Sequence, residues 1–152
     1  MKLAEALLER KSLMQKVEKL RERLTQSALV QEGDAPHEQP QELMSALNDT
    51  ITQLEALIKR INGTNNVARL PDGATVSDAI VQRDMLNLRR IGVEQVAEAA
   101  TVQSQRWSRN EIKFVPTVNA AELRKEVDAL AKACRELDAQ IQAVNWTVEL
   151  IE

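Results

Sequence analysis

Starting at Leu123 and stepping alternately by four and three residues, the chain places Leu123, Val127, Leu130, Cys134, Leu137, Ile141, Val144, Val148 and Ile151 on one line, all apolar. A 3.5-residue apolar repeat held over four heptads predicts a helix packed lengthwise on other helices. Asn119 suits its N-cap, since a short side-chain oxygen accepts an amide hydrogen bond of the first turn. At 1.5 Å per residue, residues 120–151 span roughly 48 Å, which calls for long partners.

The rest of the chain supplies three. Residues 2–31 read as a first helix with Leu3, Leu7, Met14, Val17, Leu24 and Ala28 on its seam, Leu13 and Leu20 widening the stripe, and Arg10 and Arg21 at two seam positions. The arginine stems pack there while the guanidinium groups reach water or a carboxylate. Gly33, Asp34 and Pro36 mark a loop over 31–39, and Pro40 fits the first position of a second helix. That helix carries Leu43, Leu47, Ile51, Leu54, Leu57, Ile58 and Ile61, and Gly63 with the neighbouring asparagines offers its C-cap. After the Leu70-Pro71-Asp72-Gly73 turn, Thr75 and Asp78 make a capping-box start for a third helix. Its seam is Ile80/Val81, Met85, Leu88, Gly92, Val96, Ala99 and Val102, with small residues in the second half.

Between about 103 and 118 the helical period disappears. Ile112-Lys113-Phe114-Val115 is β-branched and aromatic and ends at Pro116. With Gln105-Arg106-Trp107 before it and Arg109-Asn110 as the turn, a short β-hairpin arm is predicted. In that register Arg106 faces Lys113, and like charges directly opposite destabilise a ladder. Either the register differs or something acidic covers that face. An isolated hairpin is marginal in water, so the arm leans on its own bundle or on another subunit.

Composition agrees with an all-α, coiled-coil-like fold. The chain has 152 residues, which fits one domain over 1–152. Its only aromatic residues are Trp107, Phe114 and Trp146, so the core is aliphatic. The reading is an elongated antiparallel four-helix bundle with the arm between helices three and four. Residues 1–31 carry seven basic and four acidic side chains, and residues 120–152 carry the reverse. The two terminal helices therefore suit one another as neighbours, although surface pairs choose orientation more than they supply stability. A net charge of −3 gives no general attraction to nucleic acid or anionic membrane. One cysteine builds no disulfide framework, Glu5 and Glu9 interrupt any apolar signal region, and no run is long enough to span a bilayer. A cytoplasmic protein is expected.

Chemistry is sparse. His37 is the single histidine and lies in the first interhelix loop, so neither a zinc site nor a di-metal bundle has its ligands. Cys134 sits on an apolar seam, where a thiol acts as a small hydrophobe. The pairs Glu5/Glu9 and Glu122/Glu126 read as solvated helix faces, and no phosphate-binding glycine loop or nucleophile elbow occurs. No catalytic residue, cofactor or metal is expected. The candidate site is the interaction arm: Arg106, Trp107, Arg109, Ile112, Lys113 and Phe114, whose mix of cations and aromatics can also bind single-stranded nucleic acid.

The opening Met1–Lys11 segment, Val30-Gln31-Glu32-Gly33, the Ile61-to-Asn65 segment, Arg83-Asp84, the Ser108–Val118 run and the closing Asn145-Trp146 resemble the small bacterial helical proteins labelled septicolysin. The resemblance spans essentially the whole chain, with 111–118 its most specific part. It implies a bacterial helical protein without an established activity, and it supplies no catalytic residues. The label itself suggests a cytolysin, although the chain has no insertion hairpin of useful length and no Trp-rich loop.

Together these patterns give a non-catalytic structural or interaction protein that self-associates as a dimer or higher, or scaffolds a partner. The first alternative is a nucleic-acid-binding adaptor that uses the arm. A second is a membrane-active, cytolysin-like protein.

Overall fold

The computed structural model describes residues 1–101 and 114–152. It is all-α, with four helices in order: α1 (Leu3–Ser27), α2 (Pro40–Val67), α3 (Val76–Ala99) and α4 (Ala120–Thr147). The chain divides into two compact units, Met1–Val76 with Gln142–Glu152, and Ser77–Ile141. Helix-on-helix packing of this kind fits a bundle.

In the first unit α1 and α2 run antiparallel. The start of α1 meets the end of α2 in a core of Leu3, Ala6, Leu57, Ile61 and Leu150, with Leu7 and Leu13 packed against it. At the other end Arg23 closes the pair with a two-pronged bond to Glu38, one prong donated by Nε at 2.9 Å. Pro40 opens α2 as the sequence predicts. The inner seam of α1 holds most of the expected line, Leu3, Leu7, Arg10, Val17 and Leu24, together with Ala6, Leu13 and Leu20, while Met14, Arg21 and Ala28 of that line are exposed. Leu13 and Leu20, read as widening the stripe, thus belong to the seam itself. On α2 the expected line holds except at Ile51. Thr50 is buried where Ile51 was expected, because its hydroxyl donates to the Ala46 carbonyl (2.7 Å) and so hides its polarity within the helix.

The end of α2 also differs from expectation. The helix runs through Gly63 to Val67 and ends at Ala68 in extended backbone. Gly63 caps nothing. A Cβ there would stand 2.6 Å from the Ile151 side chain, so the glycine admits the C-terminal segment against the helix. One turn is made as the sequence reads it: Leu70 accepts from the Gly73 amide (2.9 Å), with Gly73 at a φ of +90° and Asp72 taking the Ala74 amide. Then α3 starts directly after Thr75, as the capping pattern predicts.

Residues 148–150 clasp the start of α1. The Leu3 amide donates to the Val148 carbonyl and the Leu150 amide to the Met1 carbonyl, both at 2.9 Å. The Lys2 ammonium lies 2.6 Å from Glu149. Hydrogen bonding from Lys2, then from the amino terminus, holds the Glu149 carboxyl below its ordinary 4.5. A carboxyl lowered in the folded state stabilises it above the ordinary value and ceases to as pH falls through the folded one. Glu149→Gln should therefore lower the melting midpoint slightly and constantly near neutral pH, and the gap should close in acid well below 4.5. Melts across that range check it; a gap that persists in acid shows that the ion pair is not its source.

In the second unit α3 and the part of α4 up to Ile141 run antiparallel. Arg83 donates to Asp138 at 2.8 Å, and near the other end Arg124 donates to the Thr101 hydroxyl at 2.9 Å. Asn119 caps α4 as expected, its Oδ1 accepting from the Ala121 and Glu122 amides at 3.1 and 3.2 Å. The 3.5-residue seam of α4 is present, yet Leu123, Val127, Leu130, Cys134 and Leu137 are only half-buried. No strand occurs among the described residues, whose only bridges are Lys2 with Glu149 and Arg69 with Thr75. The predicted β-hairpin is thus not found at Phe114 and Val115, which lack strand pairing. The remainder of that hairpin, up to residue 113, lies outside the described residues.

Candidate functional site

Of the six residues assigned to the interaction arm, Arg106, Trp107, Arg109, Ile112 and Lys113 lie outside the described residues. Phe114 is described and is 79% exposed. Of the arm, only Phe114 is therefore placed.

On α3 the outcome is the reverse of the expected one. The side toward α4 consists of Ala79, Arg83, Leu86, Arg90, Val93 and Ala97, of which only Ala79 and Ala97 are fully buried. Half a turn round the helix, the stripe read from the sequence as the core seam faces outward. Val81, Met85, Leu88 and Val96 are 58, 53, 61 and 47% exposed, with Ile91 beside them. Gly92 and Ala99 continue the line, and a Cβ at Gly92 would meet open space. At 3.6 residues per turn these positions share one face. From Val81 to Ala99 no charged side chain interrupts it; Asp84 stands on one shoulder and Arg89 on the other. The result is an exposed, charge-free apolar stripe of about five turns on the side of the helix opposite its packed face.

Between α3 and α4 lies a second feature, a polar cleft of about 460 Å³. Arg83 spans it, bonded to Asp138 (2.8 Å) and to Asp84 (2.9 Å), and the bond to Asp138 raises its guanidinium above the ordinary arginine value. The Cys134 thiol donates to the Arg83 carbonyl at 3.7 Å. Arg90 is engaged by Asn87 and Glu94. These charges answer one another, and the thiol is spent on a backbone acceptor. The cleft ties two helices together.

In the first unit an open groove of about 730 Å³ runs along α1 and α2, floored by Met14, Val17 and Leu54, with Lys11, Glu18 and Lys19 at its edge. His37 lies in the α1–α2 connection beside Pro36 and Asp34. No group of three or more His, Cys, Asp or Glu side chains among the described residues is placed to hold a metal ion. No helix among them is long and apolar enough to cross a membrane.

Sequence reasoning found the apolar stripe of α3 and missed its direction. The signal that could have turned it was the inner line itself, Ala79-Arg83-Leu86-Arg90-Val93-Ala97, a seven-residue repeat of mixed polarity that hydropathy alone passes over.

Residues 10–150 match the model of a family described as a family of unknown function (DUF6847). A solved structure, titled as that of a functionally unknown conserved protein from Corynebacterium diphtheriae, is 41% identical with a TM-score of 0.92, covering 99% of each chain. No curated protein matches. Neither match carries the septicolysin label. They support the coarser part of that resemblance, a helical bacterial family with no activity assigned.

Proposed function

Because the chain belongs to this family of unknown function (DUF6847), we propose from its surfaces that it is a non-catalytic, cytoplasmic helical-bundle protein that works by self-association. The observation that carries this is the outward stripe of Val81, Met85, Leu88, Gly92, Val96 and Ala99. In the second unit the only fully buried apolar residues among those described are Ala79, Ala97 and Ile141. A helical pair with so little core gains stability by covering its outer seam with another chain. The closed charge network around Arg83 favours a structural role for the cleft rather than a catalytic one.

Sedimentation velocity on the whole chain tests the proposal. The expected mass is a multiple of 17.1 kDa at micromolar concentration. Leu88→Glu, which puts a charge in the middle of the stripe, should shift the population to monomer while the helical circular dichroism stays near wild type. A single 17.1 kDa species at every concentration up to hundreds of micromolar would remove self-association and leave scaffolding of a different protein.

A further inference from the structure

We propose that the chain covering the outer face of α3 is a second copy of the same helix, lying parallel and in register across a two-fold axis. This rests on the self-association reading and adds to it the surface, the partner helix and the orientation.

The seam is set by heptad spacing. Val81, Leu88 and Gln95 occupy one of its two lines, and Met85, Gly92 and Ala99 the other. Gly92 and Ala99 are the smallest residues available, so the two backbones can approach closely toward the end of the helix. Nothing inside the chain requires the glycine, since its φ is not positive and its Cβ position is open.

The shoulders decide the orientation. One carries Ser77, Asp84, Ile91 and Glu98; the other carries Gln82, Arg89 and Val96. In a parallel, in-register pair a residue on the first shoulder faces the residue five positions on, on the second shoulder of the partner. Asp84 then faces Arg89, once on each side of the axis. The step before joins Ser77 to Gln82, and the step after joins Ile91 to Val96. No like charges meet across these steps. Antiparallel helices instead bring each shoulder against its own counterpart. The acidic shoulder then finds no cation, and Arg89 finds only Gln82, Val96 or another Arg89. Charge therefore selects the parallel pair.

Both groups are available. Arg89 is exposed and enters no ion pair among the described residues. Asp84 is about half exposed and holds Arg83 through one oxygen, which leaves the other free to accept. Asp78, in the first turn on the seam line, is already engaged within its own chain. The uninterrupted apolar contact starts after it, at Val81.

A charge swap on the whole chain separates the possibilities. Sedimentation equilibrium is run on wild type, Asp84→Arg, Arg89→Asp and the double variant, with circular dichroism confirming helicity. Each single change sets like charges face to face twice per dimer and should weaken association by about tenfold or more. The double variant should recover most of that loss. Singles that associate like wild type, or a double no better than the singles, would overturn the parallel α3 pairing while leaving self-association standing. A wild type that stays monomeric overturns both.

Discussion

Ile61→Ala will destabilise the protein by about 2–5 kcal/mol, because the removed atoms leave a cavity that rigid neighbours cannot fill. Ile61 is 1% exposed and sits where the start of α1, the end of α2 and the C-terminal segment converge on Leu3, Ala6, Leu57 and Leu150. The segment cannot move inward to close the gap. The Ile151 amide is bonded to the Thr64 hydroxyl at 3.1 Å, its carbonyl accepts from Arg60 at 2.9 Å, and Gly63 already lets it approach as near as it can. Ile51→Ala is the control. Ile51 lies on the same helix and on the line that hydropathy alone would choose as the core, yet it is 44% exposed. Its replacement should change stability by only ~0.5 kcal/mol, as is usual for surface sites. Thermal melts of the two variants side by side decide the register. If Ile51→Ala costs as much as Ile61→Ala, the seam runs through Ile51.

That contrast shows what the sequence could and could not disclose. Helix count, Asn119 as a cap, Pro40 at a helix start and the Leu70–Gly73 turn were legible, because each depends on local chemistry that any tertiary setting preserves. The phase of the α3 stripe was not, and on α1 and α2 individual positions were misplaced. On α1, Leu13 and Met14 are neighbours in sequence, and only packing shows that Leu13 joins Leu7 on the inner seam while Met14 points out. Thr50 and Thr64 are buried core residues that read as polar, since a hydroxyl bonded to the carbonyl four residues back is invisible to hydropathy. On α3 the error was a full inversion. Arg83 is an inward residue because Asp138 of α4 meets it, and that partner lies 55 positions away in sequence. A stripe of Val, Met and Leu on the opposite face then looked like the core, when it is a surface. The α3 stripe was legible as an apolar line but was read as core, and no residue of it was read as a site.

The second large effect follows from that inversion. Amide protection in α3 and in α4 up to Ile141 should fall when the protein is diluted, while protection around Leu3, Leu57 and Ile61 should not. The first unit has a core of its own, with Leu3, Ala6 and Ile61 essentially buried and tied by the clasp of residues 148–150. Its opening is set within one chain and does not depend on concentration. The second unit keeps Leu123, Val127, Leu130 and Leu137 half-covered and Val81, Met85 and Leu88 outside, so under the proposed self-association its stability draws on the second chain. A partner that binds only the closed form stabilises it in proportion to the logarithm of its free concentration, and above the dissociation constant of a dimer the free protomer falls only as the square root of the total, so protection should drop about threefold for each tenfold dilution there. Hydrogen exchange read by mass spectrometry at two concentrations a hundredfold apart measures both units in the same sample. Equal exchange in α3 and α4 at the two concentrations would mean that this pair is stable alone, and its outer stripe would then need another explanation.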